Sequence, residues 1–241
     1  MSCHFPDLSR KWPGGGHNDN YDVMCYSLFI MKGIIFDMDG VILDSETISD
    51  RTWIAAAKER NLEINIDLIN KCRGTNKNDT IAIFKNYYGQ DFDGEGFLNR
   101  TSELFHQIEE AEGIPLMHYA KEILEYLKAR YTLALASSTR GPTVERQLRT
   151  AGVIDFFETR TTGDMVVHSK PDPEIYLMAC KSVGLEPCEC YAIEDSLNGI
   201  KSAYAAGLKP IMVVDKIKPT EEIRKMCTAV FDSLEGLKEI L

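Results

Sequence analysis

The sequence predicts a doubly wound, mostly parallel α/β sheet interrupted by a small inserted helical domain. Short apolar runs of strand length, partly β-branched, recur at 33–41, 132–139, 190–196 and 209–214. The segments between them carry apolar residues at helical spacing, as parallel strands require, because each crossover must be long enough to hold a helix. Roughly ninety residues between the first two runs read as helix throughout, more than one crossover uses, so they are expected to form a domain of their own.

In chain order, residues 1–31 come first and show little regularity. Pro13 and Gly14-Gly15-Gly16 break regular structure, Asn18-Asp19-Asn20 is turn-like, and only Met24 to Met31 is apolar. This segment is expected to be a disordered or non-native extension, translated from a start codon upstream of Met31. Cys3, His4, His17 and Cys25 are read there as incidental rather than as metal ligands. The run from Gly33 has the composition of a strand buried on both faces. Helices are expected at 47–60, 67–71, 76–88 and 95–111, marked by Trp53, Ile54 and Ala57, or by Ile81, Ile83 and Phe84. The inserted domain is set at 46–115 and the core at 32–45 plus 116–241. In the core, His118 to Ala129 places Ala120, Ile123, Leu124 and Leu127 on one helical face. The second strand, helices over Pro142–Ala151 and Asp172–Val183, the third strand, a helix signalled by Ser196, and a strand over Lys209–Val214 complete the alternation.

Composition narrows the function. A net charge of −10 disfavours nucleic acid, whose phosphates the chain would repel. The apolar stretch 24–31, even joined to the first strand, is too short and interrupted to span a bilayer, and no cleavage site of small residues follows it. Seven scattered cysteines, with Cys188 and Cys190 the only close pair, complete no zinc site and read as reduced thiols. A cytoplasmic protein with small-molecule chemistry is expected, as a monomer or weak homodimer.

The chemistry concentrates where the strands end. Gly33-Ile34-Ile35-Phe36-Asp37-Met38-Asp39-Gly40 is an apolar run stopping on two carboxylates two positions apart. Asp37 falls at the strand's C-terminal end, where open α/β sheets bind ligands, and Gly40 allows the turn that brings Asp39 to the same cavity. Two such carboxylates repel unless a cation or proton intervenes. A divalent metal would remove that cost and shield a phosphate, so that one carboxylate attacks phosphorus while the other manages the leaving group's proton. Asp beside Gly is also a common turn former, so this string alone does not decide. The second run ends on Ser137-Ser138-Thr139, hydroxyls able to hold phosphate oxygens or to cap the next helix. Lys170 lies in the proline-braced loop Ser169-Lys170-Pro171-Asp172-Pro173, where a solvated lysine is the ordinary expectation. The third run ends on Glu194-Asp195, otherwise a solvated pair at a helix N-terminus.

Taken together, the order strand-DxD, strand-Ser, Lys, strand-Glu-Asp resembles the four-motif signature of the haloacid dehalogenase superfamily, over about residues 32 to 241. The resemblance implies a Rossmann-like core and specific roles. Asp37 is the nucleophile and Asp39 the acid/base; Ser137 binds the phosphoryl group; Lys170 neutralises nucleophile and phosphate. Glu194 and Asp195 hold Mg²⁺ with Asp37, helped by the main-chain carbonyl of Asp39. An Asp two residues after the nucleophile is typical of the phosphatases and phosphomutases of the family.

The inserted helices resemble the cap of the β-phosphoglucomutase and phosphoglycolate phosphatase branch, with hinges near Asp44–Glu46 and Gly113–Met117. Arg73-Gly74-Thr75-Asn76-Lys77 is the polar cap loop best placed to meet substrate, or else a solvated loop; Arg73, Gly74, Lys77 and, from the core, Ser138 are the substrate candidates. The expected activity is Mg²⁺-dependent hydrolysis of a small phosphorylated metabolite of sugar type through phospho-Asp37. The alternatives are a hexose-phosphate mutase and a non-catalytic binding module on the same fold. Against the mutase, Ser49 stands where those enzymes typically carry a histidine, and Lys77 where they carry a phosphate-gripping arginine, for which a lysine offers a point charge in place of a bidentate fork.

Overall fold

The computed structural model describes residues 31–73 and 77–241. The expected N-terminal extension through residue 30, and Gly74 to Asn76 of the polar loop, lie outside the described residues.

Strand β1 (Gly33–Phe36) has no polar side chain and is buried along its whole length. Such a strand is stable only with neighbours on both edges and helices on both faces. It pairs in parallel with β2 (Thr132–Ser137) and with β4 (Cys190–Glu194), so that Phe36 lies level with Leu135 and with Ile193. With β3 (Thr159–Thr162), β5 (Lys209–Val213) and β6 (Ala229–Phe231), the sheet runs β3-β2-β1-β4-β5-β6, every pairing parallel. The strand order reverses between β1 and β4. In a doubly wound sheet the crevice outside the strands' carboxyl ends at that reversal is where ligands bind.

Alternation along each strand separates two apolar layers. Ile34, Phe36, Leu133 and Leu135 face α5 (Ala120–Lys128) and α6 (Gly141–Thr150), packing with Ile123, Leu124, Leu127, Val144 and Leu148. Ile35, Ala134, Ala136 and Ala192 face the other way, against Ile175, Tyr176 and Ala179 of α7 (Glu174–Ser182) and Ala203 of α8 (Leu197–Ala206). The small alanines of the second layer let α7 lie close to the sheet and bring its tyrosine beside the strand ends.

Between β1 and β2 come α1 (Ser45–Glu59), α2 (Ile66–Cys72), α3 (Lys77–Tyr88) and α4 (Gly94–Glu112). Three start on side-chain caps, with Asp44, Asn65 and Asp93 accepting from the backbone N–H three residues on. They surround an apolar cluster of their own, with Ala56, Leu68, Phe84 and Phe97 at its centre and Trp53 packed against it. The outgoing and returning chain are tied together: Asp44 N–H donates to Pro115 O at 2.8 Å and Met117 N–H to Ile42 O at 2.9 Å.

Sequence periodicity places the bounded helices to within two residues, whereas the first apolar run, 33–41, continues past the end of β1 at Phe36, and β3, β6 and the short α9 (Glu221–Met226) are passed over. The strand β3 reads Thr-Arg-Thr-Thr, with no apolar run, because at a sheet edge it pairs on one side only. Among the described residues no helix is long and apolar enough to cross a membrane.

Candidate active site

Three strand ends converge at the reversal point. Immediately after β1, Asp37 N–H donates to Ile193 O of β4 at 2.9 Å, which fixes the aspartate against the neighbouring strand. The chain then folds back on itself: Ile42 and Leu43 N–H both donate to Met38 O, and Gly40 N–H to Leu43 O. Gly40 turns with φ +74°, and a Cβ there would overlap Asp195 Oδ2, so the loop needs glycine for both conformation and space. The same approach recurs at Gly199 in the first turn of α8, where a Cβ would run into the Glu194 carboxylate.

Lys170 is the electrostatic centre. Its Nζ donates to Asp37 Oδ1 at 2.6 Å, Glu194 Oε1 at 2.7 Å and Ala136 O at 3.0 Å, with the side chain only 7% exposed. Its local sequence reads as a solvated lysine and the family resemblance assigns it to the site; the three bonds place it beside Asp37 and Glu194. Burial opposes its charge, yet Asp37 and Glu194 outweigh that and push its pKa upward, so Lys170 stays an ammonium. Asp37 is pushed up to about 7, chiefly by burial and then by the Glu194 and Asp39 charges, with Lys170 pulling the other way. Asp195 is also raised well above the ordinary carboxylate range by burial and by the charges of Glu194 and Asp37. Oxygens of Asp37, Glu194 and Asp195 all lie within 4.8 Å of one another. Crowded, buried hard-oxygen donors whose negative charges disfavour each other fit a Mg²⁺ ion well.

The remaining bonds hold this cluster. Tyr176 Oη donates to Glu194 Oε1 at 2.7 Å from full burial, its ring 5.1 Å from Lys170 Nζ. Ser196 Oγ donates to Glu194 Oε2 at 3.0 Å while accepting from Gly199 N–H, so one hydroxyl caps α8 and orients the acid. Thr139 Oγ1 donates to Asp39 Oδ2 at 2.9 Å, and Thr139 N–H donates to Ser137 Oγ at 3.1 Å. Ser137 is fully buried at the end of β2, whereas Ser138 is exposed on the cleft.

The cleft, about 190 Å³, is lined by Asp37, Asp39, Ser138, Lys170, Asp195 and Ser196 from the core and by Glu46 and Arg73 from the inserted helices; Lys216 and Ile217, just beyond β5, complete it. Arg73 is nearly buried, its guanidinium bonded to Glu46, to Asp50 at 2.5 and 2.7 Å, and to Asn70 at 3.0 Å. Burial raises the Glu46 pKa, opposed by Arg73. Lys77 is not in this lining; its ammonium pairs with Glu95 of α4 at 2.6 Å. Gly74 lies outside the described residues.

The structure thus brings Asp37, Asp39, Lys170, Asp195, Ser138 and Arg73 to one cleft, with the fully buried Ser137 and Glu194 behind it. Tyr176, Ser196, Glu46 and Lys216 are absent from the sequence-derived set. For Lys216 a signal exists, since Asp215-Lys216 follows a buried strand just as Asp37 and Glu194-Asp195 do. For Tyr176 there is none beyond its place in an apolar helix.

A model of haloacid dehalogenase-like hydrolases matches residues 34–213. The chain belongs to this family. Among its relatives, the phosphorylated carbohydrates phosphatase of Thermotoga maritima is 30% identical over 187 residues, covering 75% of this chain and 84% of that protein. The β-phosphoglucomutase of Bacillus subtilis is 27% identical over 188 residues, covering 74% and 81%. The solved structure of CbbY from Rhodobacter sphaeroides in complex with phosphate superposes with a TM-score of 0.68 at 26% identity, covering 86% of this chain and 96% of that one. As a haloacid dehalogenase-like hydrolase, the chain carries the family's doubly wound sheet.

Proposed function

We propose that this phosphatase hydrolyses a small phosphomonoester of sugar type in two steps through phospho-Asp37, under the helices of segment 46–115 acting as a cap. The observation that carries this reading is the bond from Lys170 Nζ to Asp37 Oδ1 at 2.6 Å, beside Glu194 and Asp195, at the mouth of the sheet. Asp37, Glu194, Asp195 and the Asp39 carbonyl would hold Mg²⁺, which when bound supplies positive charge against the carboxylates and the incoming phosphoryl group.

An Asp37 oxygen attacks phosphorus while Asp39 gives its proton to the departing alkoxide oxygen, releasing the alcohol. Water then attacks the phosphorus of phospho-Asp37, Asp39 takes the water's proton, and the phosphorus–carboxylate bond breaks to free inorganic phosphate. Thr139, bonded to Asp39 Oδ2, holds the acid in place for both transfers. Lys170, Ser137 and Ser138 are assigned to the charge and oxygens of the transferring group. Arg73 and Glu46 face the organic part, and the name of the Thermotoga relative supports a carbohydrate there.

The mutase alternative is disfavoured by Ser49, which provides no imidazole on α1, and by Lys77, whose charge is engaged with Glu95 away from the cleft. A non-catalytic module would have no use for so complete a set of acids around one lysine. Phosphate release from p-nitrophenyl phosphate, measured with Mg²⁺ and again after chelation, is the test. We expect turnover with Mg²⁺ only, and none from Asp37→Asn with an unchanged circular dichroism spectrum. Retained turnover in Asp37→Asn would overturn the nucleophile assignment.

A further inference from the structure

We infer that Lys216, on the loop after β5, is a specificity-determining residue that binds hydroxyl oxygens on the organic part of the substrate. This rests on the phosphatase reading above and adds a contact from a wall of the cleft formed by the core.

Four observations carry it. Lys216 and Ile217 line the same cleft as Asp37, Glu46 and Arg73, although they come from a different strand end. The ammonium donates to Thr47 Oγ1 at 3.0 Å, so it spans from the β5 loop to the first turn of α1, next to Glu46. Its carboxylate neighbour is Asp215, with Oδ1 3.5 Å away and a side chain 91% buried by its 9% exposure. Asp215 Oδ2 has no hydrogen-bond partner among the described residues, so this buried acid makes its ion pair with Lys216 through Oδ1. An ammonium has three donors; one is committed to Thr47, and the longer approach to Asp215 leaves capacity facing the cleft.

Charge selects the kind of oxygen. Asp39, Glu46 and Asp195 line the same cleft as Lys216 and Asp215 lies beside it, while Lys170 is already bonded to Asp37 and Glu194, and Arg73 to Glu46 and Asp50. A second phosphate or a carboxylate on the substrate would meet this excess of negative charge, whereas a hydroxyl accepts from the lysine without adding charge. Hydroxyls also suit carboxylates such as Glu46, to which they donate. The ligand class is therefore a phosphomonoester bearing several hydroxyls and no second anionic group.

The test compares kcat/KM for sorbitol 6-phosphate, p-nitrophenyl phosphate, phosphoglycolate and fructose 1,6-bisphosphate in wild type, Lys216→Met and Lys216→Arg, with Mg²⁺ present. Turnover of p-nitrophenyl phosphate by wild type establishes the phosphatase reading independently. Lys216→Met is expected to lower the ratio of sorbitol 6-phosphate to p-nitrophenyl phosphate efficiency about tenfold, through KM more than kcat, equal to ~1.4 kcal/mol of lost binding. Lys216→Arg should restore most of that ratio. Thermal unfolding of the three proteins separates misfolding from lost contact, and Thr47→Val, which frees the lysine without removing it, should shift the ratio in the same direction by less. An unchanged ratio in well-folded Lys216→Met overturns the inference. So does a larger loss for phosphoglycolate or the bisphosphate than for sorbitol 6-phosphate, because the group recognised would then be an anion.

Discussion

Tyr176 donates its buried hydroxyl to Oε1 of Glu194, the same oxygen that accepts from Lys170. A fully buried carboxylate is thereby held by two donors on one oxygen, while Ser196 Oγ and N–H hold the other. Removing the phenol hydroxyl leaves Glu194 still bonded, so Tyr176→Phe should cost only about 1 kcal/mol of stability in urea unfolding. On the proposed metal role it should also raise the Mg²⁺ concentration for half-maximal activity. Unchanged metal dependence with unchanged stability would show the bond to be incidental.

Lys170 is a harsher deletion. Lys170→Met leaves Asp37 and Glu194 buried beside each other without their cation, and breaking a buried pair in this way costs roughly 3–5 kcal/mol. Activity should fall by about 10²–10³ or more, as when a group stabilising transition-state charge is lost. A stable variant with near-normal turnover would show that neither the pair nor the charge matters.

Gly199→Ala makes a sharper distinction. In an ordinary helix the change stabilises by about 0.5–1 kcal/mol. Here the new Cβ collides with the Glu194 carboxylate, so the expected result is lower stability and weaker Mg²⁺ activation. A rise in the unfolding midpoint would mean that α8 and Glu194 can move apart freely.

Asp39→Ala should reduce turnover of an alkyl phosphate by about 10²–10⁴. Aryl phosphates, whose leaving oxygen needs little protonation, should suffer less in the first step. Thr139→Val should give a milder loss of the same kind, because it removes only the bond that orients Asp39. Equal losses for good and poor leaving groups would argue that Asp39 is structural.

The pKa shifts give the stabilisation by Mg²⁺ a definite sign with pH. The folded-state pKa of Asp37 is raised, to about 7, and that of Asp195 is raised too, so in the metal-free protein both bind protons more tightly than in the unfolded chain. Stability from these groups is fully present below the ordinary carboxylate pKa and is lost as pH rises through the raised values. A cation competes with those protons. Mg²⁺ should therefore raise the unfolding temperature of chelator-treated protein more at pH 8 than at pH 5. An equal shift at both pH values would exclude these carboxylates as the binding site.

The buried strands, their alternation with helices, and the acids that end those strands were legible in the sequence. Those signals are local: an apolar run ending on Asp37 or on Glu194-Asp195 says where a strand stops, and in a parallel sheet strand ends gather on one edge. The inserted helices were legible for the same reason, since Trp53, Phe84 and Phe97 fall on helical faces. Edge strand β3 was not, because its stability comes from pairing with β2 and not from apolar side chains. The folded chain adds the contacts: Lys170 reaches two buried acids at once, Tyr176 reaches Glu194 past the small alanines of the sheet, and Arg73 rather than Lys77 lines the cleft. Each outcome depends on which distant side chain arrives at hydrogen-bond distance, and periodicity along the chain holds no record of that distance.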